Sequence, residues 1–229
     1  MAEHLVVQTP EGAPGQLILL FHGVGSTPQA MVPLARQLAD QFPAAAIVAV
    51  AAPDPHDAAG AGAGRQWFSV RGITEENRAG RIAAAMPRFV ETVGALQRDT
   101  GTTPAQTALI GFSQGAIMAL ESTQTPAPPL AGRVVSLAGR FAHLPQRVPP
   151  ETTLHFIHGK DDPVIDYRHT VDAAEQLVRL GGDLTADVLP GLGHTVAPEM
   201  TELLLRRLTT HVPRRLWEQA MRDAAAGGL

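Results

Sequence analysis

The 229-residue sequence contains no cysteine, which excludes a disulfide framework, a thiolate nucleophile and a zinc–thiolate site. It also lacks a long apolar run. The longest, Ala44 to Ala52, falls far short of the ~20 residues that cross a bilayer. The N-terminal stretch "MAEHLVVQTPEG" has neither a positive n-region nor an apolar h-region, so no signal peptide is expected. A cytoplasmic protein without stable membrane insertion is the expectation. No long basic run is present and the formal net charge is −4, which argues against nucleic acid as a partner. Nor is there an H-E-x-x-H, and His155 and His158, three apart in an expected strand, face opposite sides. "GAGAGR" lacks the G-x-G-x-x-G spacing of a dinucleotide loop and reads as a flexible connection within "HDAAGAGAGR" (56–65). No metal site and no dinucleotide-binding loop are therefore expected.

What is present is globular. With 45% hydrophobic and 17% charged residues, the chain has the composition of a packed domain. At this length it can bury roughly 70% of the surface that its unfolded form exposes. One domain spanning 1–229 is expected; a homodimer is left open.

Short runs rich in Val, Ile and Leu alternate with amphipathic stretches. Strands are expected at 17–23, 46–52, 107–113, 133–139, 153–159 and 184–191, with "HLVVQT" as an edge strand. Helices are expected over "TPQAMVPLARQLADQF" behind a Ser26/Thr27 cap, over 74–100 behind Thr74, and over "QGAIMALES". Three more lie in 167–182, 197–212 and 213–228, the last with Trp217 as a docking anchor. Pro87 should kink or interrupt the second helix. The arginine pairs 206–207 and 214–215 read as a solvated face. Strand–helix alternation with buried strands implies an α/β fold, a mostly parallel sheet covered on both faces.

One join stands out. "TALIGFSQGAIMAL" runs from an apolar strand through G-x-S-x-G into an apolar helix. A sharp strand-to-helix turn forces its central residue into a strained backbone and brings the positions two before and two after together. Only small residues, here Gly111 and Gly115, fit there. The bland alternative is that Ser113 merely caps the helix. Against it, a serine nucleophile needs a base and an orienting carboxylate, in the order Ser, Asp, His, at later strand ends. Asp161 and Asp162 follow one strand and His194 follows the next. Oxyanion donors are expected from the backbone N–H of Gln114 and from that of Val24, past the early strand ending "LLFHGVG".

"FHGVG", "GFSQGAIMAL", "HGKDDPVID" and "GLGHT", in this order, resemble the phospholipase/carboxylesterase family of α/β-hydrolases, which includes acyl-protein thioesterases. The resemblance extends over nearly the whole chain and is weakest after about Val212. It implies an α/β-hydrolase fold and a serine hydrolase of carboxylic esters or thioesters that uses no cofactor. The family's H-G-x-x-D pattern selects Asp162 over Asp161, giving Ser113, Asp162 and His194 as the catalytic set. Val24 stands where the family more often has Leu. "RQWF" resembles the segment whose tryptophan lies beside the site, so Trp67, with Phe68, is expected to line the substrate. Small-molecule esters of short to medium acyl chain are the expected substrates, with acyl thioesters as the alternative. A non-catalytic binding protein would have no need of all three catalytic residues. No cap domain fits in the short segment "RFAHLPQRVPPET".

Overall fold

Alternation along the second strand sets the architecture. Leu17, Leu19 and Phe21 point into one apolar cluster, and Ile18 and Leu20 into another on the opposite face. The computed structural model describes residues 3–57, 64–125, 128–149 and 151–226. Its strands are β1 (Leu5–Gln8), β2 (Gln16–Phe21), β3 (Ala45–Val50), β4 (Asp54–Pro55), β5 (Arg65–Gln66), β6 (Thr107–Phe112), β7 (Arg133–Leu137), β8 (Thr153–Gly159) and β9 (Leu184–Leu189). Seven of them form one sheet in the order β1-β3-β2-β6-β7-β8-β9. Only β1 runs antiparallel to its neighbour. β4 and β5 form a separate short ribbon.

The helices are α1 (Val32–Gln41), α2 (Glu75–Thr100), α3 (Gln114–Ser122), α4 (Arg168–Arg179), α5 (Pro198–Thr210) and α6 (Arg214–Ala226). α1 and α5 cover one face through Leu34, Leu38, Met200 and Leu204. α2, α3 and α4 cover the other through Phe89, Val93, Met118 and Leu177. Crossovers of this kind bury both faces of a parallel sheet, which explains the near-continuous apolar runs.

Several expectations change. The strand ends expected at 23, 52, 139 and 191 stop two residues earlier, where the chain leaves the ladder to build loops at the carboxyl edge. α2 passes through Pro87 uninterrupted, with a Thr74–Asn77 capping box at its start and Gly101 in the left-handed region at its end. Thr27 makes no side-chain cap, and a 3-10 turn over Pro28–Met31 precedes α1. Trp217 is 60% exposed rather than buried as a docking anchor. α6 is instead held by arginines expected in solvent: Arg215 donates to Gly132 O and Glu151 O, and Arg214 to Gly181 O. Arg207 pairs with Asp187 at 2.6 Å. Part of the Gly/Ala connection, residues 58–63, lies outside the described residues. Between β7 and β8 the described residues hold no helix, and Arg140 ties that segment to Glu75 at the start of α2 at 2.8 Å.

Candidate active site

Ser113 follows β6 directly, with φ 53° and ψ −115°. A non-glycine residue rarely holds such angles unless its surroundings impose them. The turn is imposed by packing: a Cβ at Gly111 would collide with Gly115 C and Ala116 N, and one at Gly115 with Phe21 O. The Ser113 N–H donates to Leu137 O on β7 at 3.0 Å. Its hydroxyl makes no cap on α3, so the capping alternative fails.

The hydroxyl instead meets His194. His194 Nε2 lies 2.9 Å from Ser113 Oγ, and His194 Nδ1 lies 2.6 Å from Asp162 Oδ2. Phe112 lies against the imidazole, with ring centroids 4.9 Å apart. Asp162 Oδ1 accepts the Val164 and Ile165 N–H groups at 2.8 and 2.9 Å. Burial works to raise the Asp162 pKa, but the His194 bond and these two backbone donors outweigh it and hold the carboxyl below its ordinary value. Asp161 turns away: its carboxylate accepts the Gly191 N–H at 2.9 Å and braces the loop that carries His194.

His158 is a member that sequence reasoning set aside. It is fully buried, and its Nε2 faces Asp162 Oδ2 at 3.2 Å and Ile165 O at 2.9 Å. Two acceptors at one nitrogen make that nitrogen the donor, so Nδ1 accepts from Thr170 Oγ1 at 2.8 Å. Burial lowers the pKa of His158 and favours this neutral form. The one available signal was its place four residues before Asp162, in "HGKDD".

Gln114 occupies the first position of α3, where a helical N–H has no intrahelical acceptor. The Val24 loop abuts the serine, since a Cβ at Gly23 would sit 3.3 Å from the Ser113 Cβ. His22, just before it, is buried; its Nε2 accepts the Ala52 N–H at 3.1 Å, and its Nδ1–H donates to Gly23 O at 2.8 Å.

Trp67 and Phe68 depart from expectation. They are 2% and 5% exposed, and the indole packs against Phe21 and Phe89 at centroid distances of 5.4 and 5.7 Å. They form a core floor behind the loop of His22 to Val24 rather than an open wall. A cleft of about 790 Å³, walled by Ile82, Met86, Val90 and Leu144, touches neither Ser113 nor His194.

With this geometry in view, comparison with known proteins is specific. Residues 2–212 match the phospholipase/carboxylesterase family. The chain belongs to that family. It is 46% identical to the esterase YpfH of Escherichia coli (strain K12), over 98% of this chain and 95% of that one. It is 24% identical to acyl-protein thioesterase 1 of Cryptococcus neoformans, over 87% of this chain and 93% of the other. Among solved structures, esterase PE8 superposes with a TM-score of 0.79 at 28% identity, covering 90% of this chain and 96% of its own. The architecture of this family member is the α/β-hydrolase fold. No helix among its described residues is long and apolar enough to cross a membrane.

Proposed function

We propose that this family member, a carboxylic ester hydrolase, cleaves short to medium acyl esters through a covalent acyl-enzyme. Ser113 is the nucleophile, His194 the base and Asp162 the orienting carboxylate. The observation that carries the reading is His194 standing between the other two at hydrogen-bond distance on both nitrogens. Ser113 Oγ attacks the acyl carbon while its proton passes to His194 Nε2. Asp162, kept ionised by its donors, stabilises the imidazolium and fixes Nδ1–H toward itself. The Val24 and Gln114 N–H groups receive the tetrahedral oxyanion. Collapse expels the alcohol, which takes the Nε2 proton. Water then repeats the sequence on the acyl-enzyme and releases the acid.

The same steps cleave a thioester, a reading favoured by the similarity to a protein named as an acyl-protein thioesterase. We further take the chain as one domain working in the cytoplasm without a cofactor. The single sheet that runs from β1 to β9 supports the first point.

Labelling with a fluorophosphonate tests the core of the reading. The wild type should label and Ser113→Ala should not, while remaining folded. Ester turnover by Ser113→Ala near the wild-type rate would remove Ser113 from the chemistry. Kinetics on a matched ester and thioester pair then separates the two substrate classes.

A further inference from the structure

The Gln114 side chain makes two hydrogen bonds that the reaction itself does not require. Its Oε1 accepts the Trp67 N–H at 2.8 Å, and its Nε2–H donates to Phe68 O at 2.7 Å. Gln114 is 2% exposed, so water does not compete for either bond. A primary amide supplies the required pairing, one acceptor beside one donor; a carboxylate or an alkyl group of equal length does not. Trp67 continues the chain of bonds. Its Nε1–H donates to His22 O at 2.9 Å, and its ring lies 5.8 Å from that of His22. His22 leads directly into Gly23 and Val24. An unbroken path therefore runs from Gln114 through Trp67 to the loop of Val24.

We propose that the Gln114 side chain is a positioning residue: by clamping Trp67 and Phe68 it fixes the spacing of the two oxyanion donors. The inference rests on the reading of Ser113 as nucleophile and of the Gln114 and Val24 N–H groups as those donors. The donors come from different elements, the start of α3 and the loop after β2. Oxyanion stabilisation demands about 2.7–3.1 Å from both at once. Core packing is non-directional, whereas a two-point amide clamp joined to an indole bond also fixes the orientation of the groups that it links. Trp67 thus acts from the core, which accounts for its burial.

Three variants test this. Gln114→Met keeps the volume and removes both bonds. Gln114→Glu keeps the acceptor for Trp67 and removes the donor to Phe68 O. Trp67→Phe removes the indole N–H. For each, thermal melting reports folding and fluorophosphonate titration counts reactive Ser113. The kcat and KM are measured on p-nitrophenyl butyrate, and affinity is measured for butylboronic acid, whose tetrahedral adduct carries the oxyanion. Gln114→Met should lose roughly 10–10² in kcat with KM little changed, and boronate affinity should fall by a similar factor. The double variant with Trp67→Phe should lose less than the product of the single losses, because both cuts break one path. Gln114→Glu should recover relative to wild type as pH falls from 8 to 5, because a protonated carboxyl again donates to Phe68 O. Wild-type kcat and boronate affinity in folded Gln114→Met overturn the proposal, as does a rise in KM alone. If Gln114→Met does not fold, a pH-independent ratio of Gln114→Glu to wild type overturns it. Failure of the nucleophile assignment is seen separately, as labelling or turnover that survives Ser113→Ala.

Discussion

Asp162 gives one carboxylate oxygen to His194 at 2.6 Å and the other to two backbone N–H groups, while the carboxylate of Asp161 beside it accepts the Gly191 N–H. Asparagine at position 162 would present an amide and favour the wrong imidazole tautomer. Asp162→Asn should therefore lower kcat by up to ~10⁴. Asp161→Asn should cost far less, because it touches only the support of the His194 loop. Steady-state kinetics on one activated ester ranks them, and the reverse order would reassign the orienting acid.

Val24 is proposed to act through its backbone, so its side chain should matter little. Val24→Ala should stay within a few-fold of wild type. Val24→Pro deletes the N–H and should lose roughly 10²–10³ in kcat. Circular dichroism must first show that the proline variant is folded. Unchanged kcat in a folded Val24→Pro would move the second donor elsewhere.

Stability should fall in acid, with His155 as a main contributor. Burial first, and then the charges of Arg133 and His211, lower its pKa from 6.5 to about 3. Below pH 6.5 the unfolded chain accordingly binds a proton that the fold excludes. Stability from this group is full above 6.5 and is lost as pH falls toward 3, with a limiting slope of about 1.4 kcal/mol per pH unit. His22 and His158, also lowered chiefly by burial, act in the same direction. Urea denaturation from pH 7 to 4 should show this slope, and His155→Asn should show a shallower one. Equal slopes would mean that His155 takes up its proton in the folded state.

Chain-length dependence should be modest. The segment between β7 and β8 holds no helix among its described residues and is pinned by Arg140 to Glu75, so nothing there serves as a lid. The kcat/KM on p-nitrophenyl esters should climb with the first methylenes, at about 0.8 kcal/mol for each that leaves water, then level or fall. No rise should accompany emulsion formation. Rates increasing out to palmitoyl esters would favour lipidated substrates.

The buried strands were legible because a parallel sheet needs apolar residues on both faces, and "LILLF" and "AIVAV" announce this locally. The residues that meet at the site were legible too, as Ser113, Asp162 and His194 each follow a strand. What was not legible depends on distant partners. Trp67 was read as lining the substrate through the resemblance of "RQWF" to a family segment, and nothing near it in sequence says that Phe21 and Phe89 will enclose it. The β4–β5 ribbon is held by Arg65 reaching back to Ala52 O and Pro53 O, a contact without local periodicity. The arginines of α6 read as solvated because charge alone does not reveal which carbonyls lie within reach. Strand ends were overrun by two residues, at His22–Gly23, Ala51–Ala52, Ala138–Gly139 and Pro190–Gly191, because where the ladder stops is set by the neighbouring strand and not by the local sequence.

The backbone of Ser113 sets two kinds of selection against each other. At φ 53° a side chain is carried in a region that glycine occupies freely, at a cost on the order of 1–3 kcal/mol. Ser113→Gly should accordingly be inactive yet melt higher than the wild type. A search of random variants for thermal resistance alone would drift toward dead enzyme at this position. Any programme that hardens this protein must therefore screen turnover alongside melting and seek its gains away from the turn.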